Sequence, residues 1–462
     1  MLTDLSRMRI QKNILGTIGH TPLVRLNRIN AGLKPVILVK VEQFNPGGSV
    51  KDRIGVEIIE EAERKGRLKP GGTIVEATSG NTGIGLAIAA AIKGYHTIFT
   101  MPDKVSAEKV RLLESYGASV VVTPTMVPHD SPESYTEVAK RIVRETPNSI
   151  LANQYYNPKN PDAHYRTTGP EIWEQTAGQV DVLVCGIGTG GTISGAGKFL
   201  KEKNPDVKII AVDPKGSVLR DYFITKKLVT TAKLYQVEGI GQDFVPGTLH
   251  FEYIDDIIEI SDKESFLTAR RLAREEGILA GGSAGTALAG ALKIAKDLTE
   301  HHVVVVLLPD TGERYLSKIF NDEWMRQNRF LEPERITLRY VLQAKSKAVA
   351  PLIFVGPVDT VRKSLTLMDE CGVSQLPVIE KETSVGGVVE SELLSTVLKD
   401  QSLFDVPVST VMGPSFPILD SDRCIDDAVE LLTRENPSVL IEEGGKIMGI
   451  VTRFDVIDYL SR

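Results

Sequence analysis

The chain has 462 residues, a formal net charge of -6 and a hydrophobic content of 42%, values typical of a globular protein with two or three domains. No basic field indicates nucleic-acid binding, and no apolar run is long enough to span a membrane. The opening residues lack the apolar core of a signal peptide, so we expect a cytoplasmic protein. The three cysteines are scattered and indicate neither a disulfide framework nor a metal site.

From about residue 36 to 325, short β-branched runs alternate with longer helical patterns. The runs are, in chain order, VILVKVE, TIVEAT, HTIFTM, SVVVTPT, DVLVCG, KIIAVD and VVVVLLPD. Such alternation predicts parallel sheets covered by helices, and therefore an α/β fold. Open α/β sheets bind ligands beyond the carboxyl ends of their strands, where several polar turns of this chain are expected.

The turn NPGGSVKDR at residues 45–53 places Lys51 directly after a glycine-rich segment. Gly47 and Gly48 allow backbone angles that other residues avoid. A lysine amine attacks an aldehyde only when it is neutral, and burial in a cleft would lower the pKa of Lys51 toward that state. This arrangement suits a Schiff base with pyridoxal phosphate. The competing interpretation is a solvated surface lysine, as most lysines are.

Two further turns join a strand to a helix. TSGNTG at residues 78–83 points backbone N–H groups and short hydroxyls toward an anion, which a substrate carboxylate would suit; an ordinary helix cap is the alternative. GTGGT at residues 188–192 has glycines that let the backbone close on a phosphate, with hydroxyl donors from Thr189 and Thr192.

The third turn also fits a different cofactor. Gly186, Gly188 and Gly191 form GxGxxG after a predicted strand, and Asp213 ends the next strand. This pattern is typical of dinucleotide binding and makes a nicotinamide dehydrogenase an alternative hypothesis. That alternative leaves NPGGSVKDR and TSGNTG without a role. Absorbance would separate the two cofactors, because a lysine-bound pyridoxal phosphate absorbs visible light and bound NAD does not.

The order of the motifs resembles a known family. NPGGSVKDR, TSGNTG, GIGTGGT, EGIG and GGSAG follow one another as in fold-type II pyridoxal-phosphate enzymes, the group of cysteine synthases and cystathionine β-synthases, over about residues 14 to 325. The resemblance implies a two-lobed core like that of the tryptophan synthase β subunit. PTMVPHDSPESY (124–135), DFVP (243–246) and SKIFNDEWM (317–325) resemble cystathionine β-synthases more than cysteine synthases.

The resemblance implies a reaction that condenses L-serine with L-homocysteine to cystathionine, with hydrogen sulfide production as a side activity. A cysteine synthase that uses O-acetylserine and sulfide remains the alternative, because it shares all of the pyridoxal-phosphate motifs. A non-catalytic sensor is a third hypothesis, and the intact Lys51, Asn81 and Ser283 argue against it. The resemblance also implies a homodimer or a higher homo-oligomer.

The same resemblance assigns roles to residues. Lys51 would hold the cofactor and act as the general base, Asn81 would bond the ring hydroxyl, and Ser283 would meet the pyridine nitrogen. The phosphate would lie against Gly188, Thr189, Gly190, Gly191 and Thr192. The substrate would be bound by Thr78, Ser79, Thr82, Gln154 and Tyr155.

Two features depart from the family pattern. About thirteen residues precede ILGTIGHTPLVRL and none of them is a cysteine, so no counterpart of the haem-binding segment of some members is present and haem is not expected. After GIG, many cystathionine β-synthases carry tyrosine, and Gln242 stands there in this chain. That difference leaves the handling of the second substrate open.

The predicted catalytic domain spans residues 1–329 and is followed by a linker at 330–347, where the alternation of strand and helix patterns lapses. Residues 348–462 contain an internal repeat with an offset of 62, in which Val378-Ile379 corresponds to Leu440-Ile441. Each copy predicts a β-α-β-β-α unit. The pair resembles the tandem CBS modules that bind adenosyl ligands.

In that module family a hydroxyl and an acid after the last strand hold the ribose, and Thr452 and Asp455 fit these positions. An offset of 62 places Glu390 and Leu393 at the equivalent positions of the first repeat, which would lack both groups. We therefore expect one adenosyl ligand per chain, S-adenosylmethionine first and AMP or ATP second. A purely structural pair of modules is the alternative, since a fold alone does not confer a ligand.

Overall fold

The protein forms two compact units, Met1–Glu332 and Pro333–Arg462. The computed structural model describes residues 10–78, 80–103, 105, 107–124, 127, 131–331, 336–345, 352–433 and 436–460. Among these residues, no helix is long and apolar enough to cross a membrane. Within the same ranges, no group of three or more His, Cys, Asp or Glu side chains is placed to hold a metal ion.

The first unit contains two sheets, as the alternating pattern predicted. Its strands are β1 Leu23–Arg25, β2 Val36–Val41, β3 Thr73–Ala77, β4 His96–Pro102, β5 Ser119–Thr123, β6 Ser149–Leu151, β7 Val182–Gly186, β8 Lys208–Pro214, β9 Asp256–Ile260 and β10 Val303–Leu308. The larger sheet has the order β1-β2-β10-β7-β8-β9, and the smaller has the order β5-β4-β3-β6. All neighbouring strands are parallel except the β1–β2 pair. The predicted two-lobed α/β fold is confirmed.

Helices connect these strands. They are α1 Asp52–Arg64, α2 Asn81–Lys93, α3 Ala107–Ser115, α4 Tyr135–Glu145, α5 Lys159–Arg166, α6 Thr168–Gln175, α7 Gly191–Lys203, α8 Leu219–Thr225, α9 Asp262–Glu276, α10 Gly282–Ile294 and α11 Asp322–Gln327. Apolar clusters lie on both faces of the larger sheet, with α10 in one and α7 in the other. A third cluster joins α1 and α2 to the smaller sheet.

Helices α1 and α2 approach each other closely at their first turns. A Cβ added to Gly55 would lie 2.5 Å from the carbonyl carbon of Gly85, and one added to Gly85 would lie 2.6 Å from the carbonyl oxygen of Lys51. Real Cβ atoms do not approach backbone atoms this closely, so glycine is required at both positions. This contact brings Lys51, just before α1, next to the helix that begins at Asn81.

The second unit has five strands and five helices within its described residues. They are α12 Leu338–Ala344, α13 Val361–Cys371, β11 Gln375–Glu380, β12 Thr383–Val389, α14 Glu390–Lys399, β13 Ile418–Asp420, α15 Ile425–Leu431, β14 Ser438–Glu443, β15 Lys446–Thr452 and α16 Arg453–Leu460. The second repeat has the predicted order of a strand, a helix, two strands and a helix. In the first repeat, the predicted first strand is reduced to an isolated β-bridge between Val355 and Val378.

The repeat offset of 62 is wrong, because the strand pairings of the two hairpins correspond at an offset of 63. Val378 pairs with Gly386 directly before a bulge, and Ile441 pairs with Gly449 directly before the same bulge. The last strand ends at Val389 in the first repeat and at Thr452 in the second. The true counterparts of Thr452 and Asp455 are therefore Val389 and Glu392, not Glu390 and Leu393. The first repeat lacks the hydroxyl but retains a carboxylate.

Part of the predicted linker is a helix. Residues 338–344 form α12, and its Leu338 and Val341 side chains are buried in one cluster with Ile425 and Val439 of the second repeat. The charged residues around this short helix conceal its two apolar positions, which are three residues apart and lie on one face. Residues 332–335 and 346–351 lie outside the described part of the chain.

Candidate active site

Lys51 lies at the start of α1, where the NPGG turn delivers it into a cleft. The turn requires Gly48, whose φ is 71°. Lys51 lines a cavity together with Asn81, Thr189 and Ser283. Burial lowers the pKa of Lys51, and the negative charge of Asp310 opposes part of that shift. No ion pair among the described residues includes Lys51, so the amine of this partly buried residue has no carboxylate partner there.

A glycine-rich cradle faces Lys51 at the end of β7. Helix α7 begins at Gly191, and Gly190 precedes it with a φ of 81°. The Thr189 hydroxyl accepts a hydrogen bond from Asn160 Nδ2 at 2.9 Å, and the Thr189 carbonyl accepts one from the Thr248 hydroxyl at 2.7 Å. These bonds fix a loop that lies at the N-terminal, positive end of the α7 dipole, where unpaired backbone N–H groups are the usual setting for a phosphate.

The cradle has no room for larger side chains. A Cβ on Gly188 would lie 2.5 Å from the carbonyl oxygen of Gly239, and one on Gly190 would lie 2.5 Å from the Cβ of Leu249. Asn160 Oδ1, which lies against Gly191, is a buried acceptor without a partner in the described structure. Close packing of bare backbone beside the partly buried Lys51 fits the phosphate and aldehyde ends of pyridoxal phosphate.

The TSGNTG turn follows β3 and presents a polar surface beside the cradle. The Thr82 hydroxyl donates to Gln154 Oε1 at 2.6 Å, and the Thr78 hydroxyl accepts from the backbone N–H of Gly80 at 3.1 Å. The structure thus brings together three of the five residues predicted to bind the substrate. Ser79 lies outside the described residues. Tyr155, the fifth, is contacted by Gln242, whose Nε2 lies 3.5 Å from the Tyr155 hydroxyl.

Glu76, in β3, holds the backbone of the segment that carries Gln154. Its carboxylate accepts the backbone N–H groups of Asn153 at 2.6 Å and of Gln154 at 3.2 Å. Burial raises the pKa of Glu76 to about 7, although both hydrogen bonds favour the charged form. Glu76 was not among the predicted site residues. It fixes the backbone of Gln154 and so sets where that side chain meets Thr82.

Asn81 and Ser283 begin the two helices that close the cavity. Asn81 is the first residue of α2, and Ser283 lies in the first turn of α10. Asn81 Nδ2 donates to Asp310 Oδ2 at 2.9 Å, and Asn81 Oδ1 accepts from Arg314. Asp310 and Arg314 were not predicted. Their position directly after β10, at the carboxyl end of a central strand, is the feature of the sequence that could have indicated them.

Asp213 does not behave as a ribose-binding acid. It lies at the end of β8 but is buried, and burial raises its pKa to about 7. Its Oδ2 accepts the backbone N–H of Arg220 at 3.1 Å. The carboxylate therefore serves the local backbone, and the GxGxxG pattern lacks the exposed acid that a dinucleotide requires.

In the second unit, Thr452 and Asp455 lie together at the start of α16. Asp455 Oδ2 accepts from the backbone N–H and from the hydroxyl of Thr452, each at 2.7 Å. The same oxygen lies 3.0 Å from Lys345 Nζ, which also donates to the Ile450 carbonyl at 2.6 Å. A lysine ammonium thus occupies one oxygen of the carboxylate that was predicted to hold a ribose.

Comparisons with known proteins agree with this geometry. Residues 14–310 match the family described as pyridoxal-phosphate dependent enzyme, and residues 408–462 match the CBS domain. Cystathionine beta-synthase of Dictyostelium discoideum is 41% identical over 468 residues, which cover 98% of this chain and 93% of that protein.

Two solved structures are similar to the chain. O-ureido-L-serine synthase is 40% identical with a TM-score of 0.63, and the match covers 69% of this chain and 99% of that one. A hydrogen sulfide-producing enzyme from Fusobacterium nucleatum is 37% identical with a TM-score of 0.62, and the match covers 66% of this chain and 100% of that one.

Proposed function

Because the chain belongs to the cystathionine β-synthase family of pyridoxal-phosphate dependent enzymes, we propose that it condenses L-serine with L-homocysteine to cystathionine at the site around Lys51. The predicted family is confirmed, and with it the cofactor. The nicotinamide alternative is wrong, since the family match spans the GxGxxG segment itself. The expectations of a homo-oligomer, of a cytoplasmic location and of a chain without haem stay predictions.

One observation supports this proposal most directly. Lys51 is a partly buried amine whose pKa is lowered by desolvation, it has no carboxylate partner among the described residues, and it lies where three polar turns meet at strand ends. A purely structural lysine in such a place would be paired, because an isolated buried charge is costly. A neutral amine beside an anion cradle is instead ready to bond an aldehyde.

The residues around Lys51 would hold the cofactor at its two ends and along its ring. The backbone from Gly188 to Thr192 would bind the phosphate, Asn81 the ring hydroxyl and Ser283 the pyridine nitrogen. Pyridoxal phosphate supplies, when bound, an electron sink that makes the Cα–H bond of an amino acid acidic. A neutral serine hydroxyl at the ring nitrogen, rather than an aspartate, keeps that sink weak and suits elimination at Cβ.

Lys51 would move the protons. Its neutral amine takes the proton from Cα of serine, and the resulting ammonium returns a proton to the departing β-hydroxyl, which leaves as water. The thiol of homocysteine then gives its proton to the neutral Lys51 amine as its sulfur bonds to Cβ, and Lys51 returns that proton to Cα, which completes cystathionine. Thr78, Ser79 and Thr82 would hold the serine carboxylate, supported by Gln154 and Tyr155.

Two other reactions involve sulfide. In the cysteine synthase alternative, sulfide is the second substrate and reacts with O-acetylserine. In the side reaction, which the similarity to a hydrogen sulfide-producing enzyme favours, cysteine replaces serine and sulfide is the leaving group. Purified protein should be incubated with serine and homocysteine, with cysteine and homocysteine, and with O-acetylserine and sulfide, and each product should be identified by mass. A catalytic efficiency far higher for O-acetylserine with sulfide would make the chain a cysteine synthase.

For the second unit we propose one adenosyl ligand at Thr452 and Asp455, S-adenosylmethionine first and AMP or ATP second. Asp455 Oδ2 accepts two hydrogen bonds from Thr452, so Asp455 Oδ1 would accept hydrogen bonds from the ribose hydroxyls. Lys345 lies beside this site, but its positive charge is offset by its ion pair with Asp455, so it leaves the proposed order of ligands unchanged. A calorimetric comparison of the three ligands, with Lys345→Met as the matched variant, would rank them.

A further inference from the structure

The loop after β10 holds the Asn81 side chain from both sides. Asp310 Oδ2 accepts from Asn81 Nδ2 at 2.9 Å, and the Arg314 guanidinium donates to Asn81 Oδ1. Asp310 is buried and Arg314 partly so. Asp310 and Arg314 are four residues apart on one loop, and neither touches the cavity that Lys51 and Ser283 line.

These two contacts fix which way the amide points. An arginine can only donate hydrogen bonds, so the Asn81 atom that faces Arg314 must be the oxygen. An ionised aspartate can only accept, so the atom that faces Asp310 must be the nitrogen. Each neighbour alone is enough to exclude the flipped amide, and the two agree.

One hydrogen of the amide is left for the cavity. The Asn81 nitrogen carries two hydrogens, and Asp310 takes one of them. No acceptor among the described residues takes the other, and Asn81 lines the cavity beside Lys51. A donor at this place stabilises an oxygen in its deprotonated form, whereas a flipped amide would present a carbonyl oxygen that favours a protonated hydroxyl.

We propose that Asp310 and Arg314 are positioning residues that keep Asn81 a hydrogen-bond donor to the ring hydroxyl oxygen of pyridoxal phosphate. They act through Asn81 and touch neither cofactor nor substrate. The role of Asn81 is part of the function proposed above, so this inference rests on it. Arg314 also donates to the Gly47 carbonyl, and one guanidinium thereby ties the turn before Lys51 to the start of α2.

The test is a double-mutant cycle read by absorbance of the holoenzyme without substrate. Asp310→Asn keeps the side-chain volume but removes the obligatory acceptor, and Arg314→Met removes the obligatory donor. Because either neighbour alone excludes the flip, each single variant should change the ratio of visible to near-ultraviolet cofactor absorbance by less than about twofold. The double variant should lower the ratio about tenfold, since one hydrogen bond to a charged oxygen is lost.

Asn81→Asp gives the reference spectrum of a site with an acceptor in place of the donor, and the double variant should resemble it. Tyr315→Phe is the matched control, because it removes the other hydrogen bond to Asp310 Oδ2, 2.7 Å long, and leaves Asn81 untouched. Its ratio should equal that of the wild type.

A changed spectrum in Asn81→Asp together with a wild-type spectrum in the folded double variant would overturn the positioning role. An unchanged spectrum in Asn81→Asp would instead contradict the role of Asn81 in the proposed function, and the positioning role with it. If the double variant fails to fold, Arg314→Met with Asp310→Glu decides: glutamate still only accepts, so this pair should keep at least half of the wild-type ratio, and a tenfold loss would overturn the proposal.

Discussion

Gly190→Ala tests the phosphate cradle directly. At a φ of 81° an alanine costs about 1–2 kcal/mol, and its Cβ would lie 2.5 Å from the Cβ and 2.7 Å from the Cα of Leu249. Since Leu249 must shift, overpacking adds about 1–3 kcal/mol. We therefore expect a loss of about 2–5 kcal/mol in the free energy of unfolding. The N–H groups from Gly188 to Thr192 move with it, and losing one hydrogen bond to the phosphate weakens cofactor binding about tenfold or more.

Gly32→Ala separates the two contributions. Gly32 has a φ of 84°, and no atom lies within 4 Å of the place where its Cβ would be. This control should lose about 1–2 kcal/mol in urea unfolding and should bind pyridoxal phosphate as the wild type does. Titration of the apoprotein with the cofactor measures the second quantity. If Gly190→Ala bound the cofactor as tightly as Gly32→Ala, the loop would not be the phosphate site.

Three further predictions test the remaining parts of the molecule. Lys51→Ala should abolish turnover and the visible absorbance of the lysine-bound cofactor while the circular dichroism stays unchanged; wild-type turnover would contradict the mechanism. Because burial raises the pKa of Glu76 from 4.5 to about 7, the folded state binds its proton more tightly than the unfolded chain does, and stability falls as the pH rises from about 4.5 through 7. Glu76→Gln should remove that part of the pH dependence in urea unfolding, and an unchanged profile would show that Glu76 is not its source. Asp455→Ala should abolish the heat of adenosyl-ligand binding in calorimetry and Glu392→Ala should not, whereas unchanged binding in the first variant would leave the second unit a structural role.

The main elements of the catalytic unit could be predicted from the sequence because they depend on local patterns. All seven β-branched runs are strands, and the turns that follow β3 and β7 carry the TSGNTG and GTGGT motifs. A parallel sheet buries both faces of its strands, so each strand reads as a continuous apolar run. The strands β1 and β6 were missed because three residues give too little pattern, and β9 was missed because Asp256 and Glu259 interrupt its apolar residues.

The partners of the site residues could not be predicted in the same way. Asn81 meets Asp310 and Arg314, which lie more than two hundred residues later in the chain. Nothing in the local sequence pairs a residue at a helix start with a loop after a distant strand. The strand order places β10 beside β2, whose chain continues to Lys51 and α1, and the close packing of α1 against α2 brings Asn81 to the loop after β10.

The repeat in the second unit shows how a small error in register changes a functional conclusion. The first repeat has two adjacent glycines, Gly386 and Gly387, where the second repeat has only Gly449. Aligning Gly387 with Gly449 gives an offset of 62. The hydrogen-bonded strand pairs show that Gly386 is the counterpart of Gly449. With this alignment, the hairpin turns Glu380–Thr383 and Glu443–Lys446 have the same length and the bulges lie at the same position. In the helix after the last strand, a slip of one residue exchanges buried and exposed positions. The corrected register makes Leu393 the counterpart of Val456, both buried, and makes the exposed Glu392 the counterpart of Asp455. The two repeats therefore differ at the position of the hydroxyl, Thr452 against Val389, and a single ligand per chain now depends on that difference.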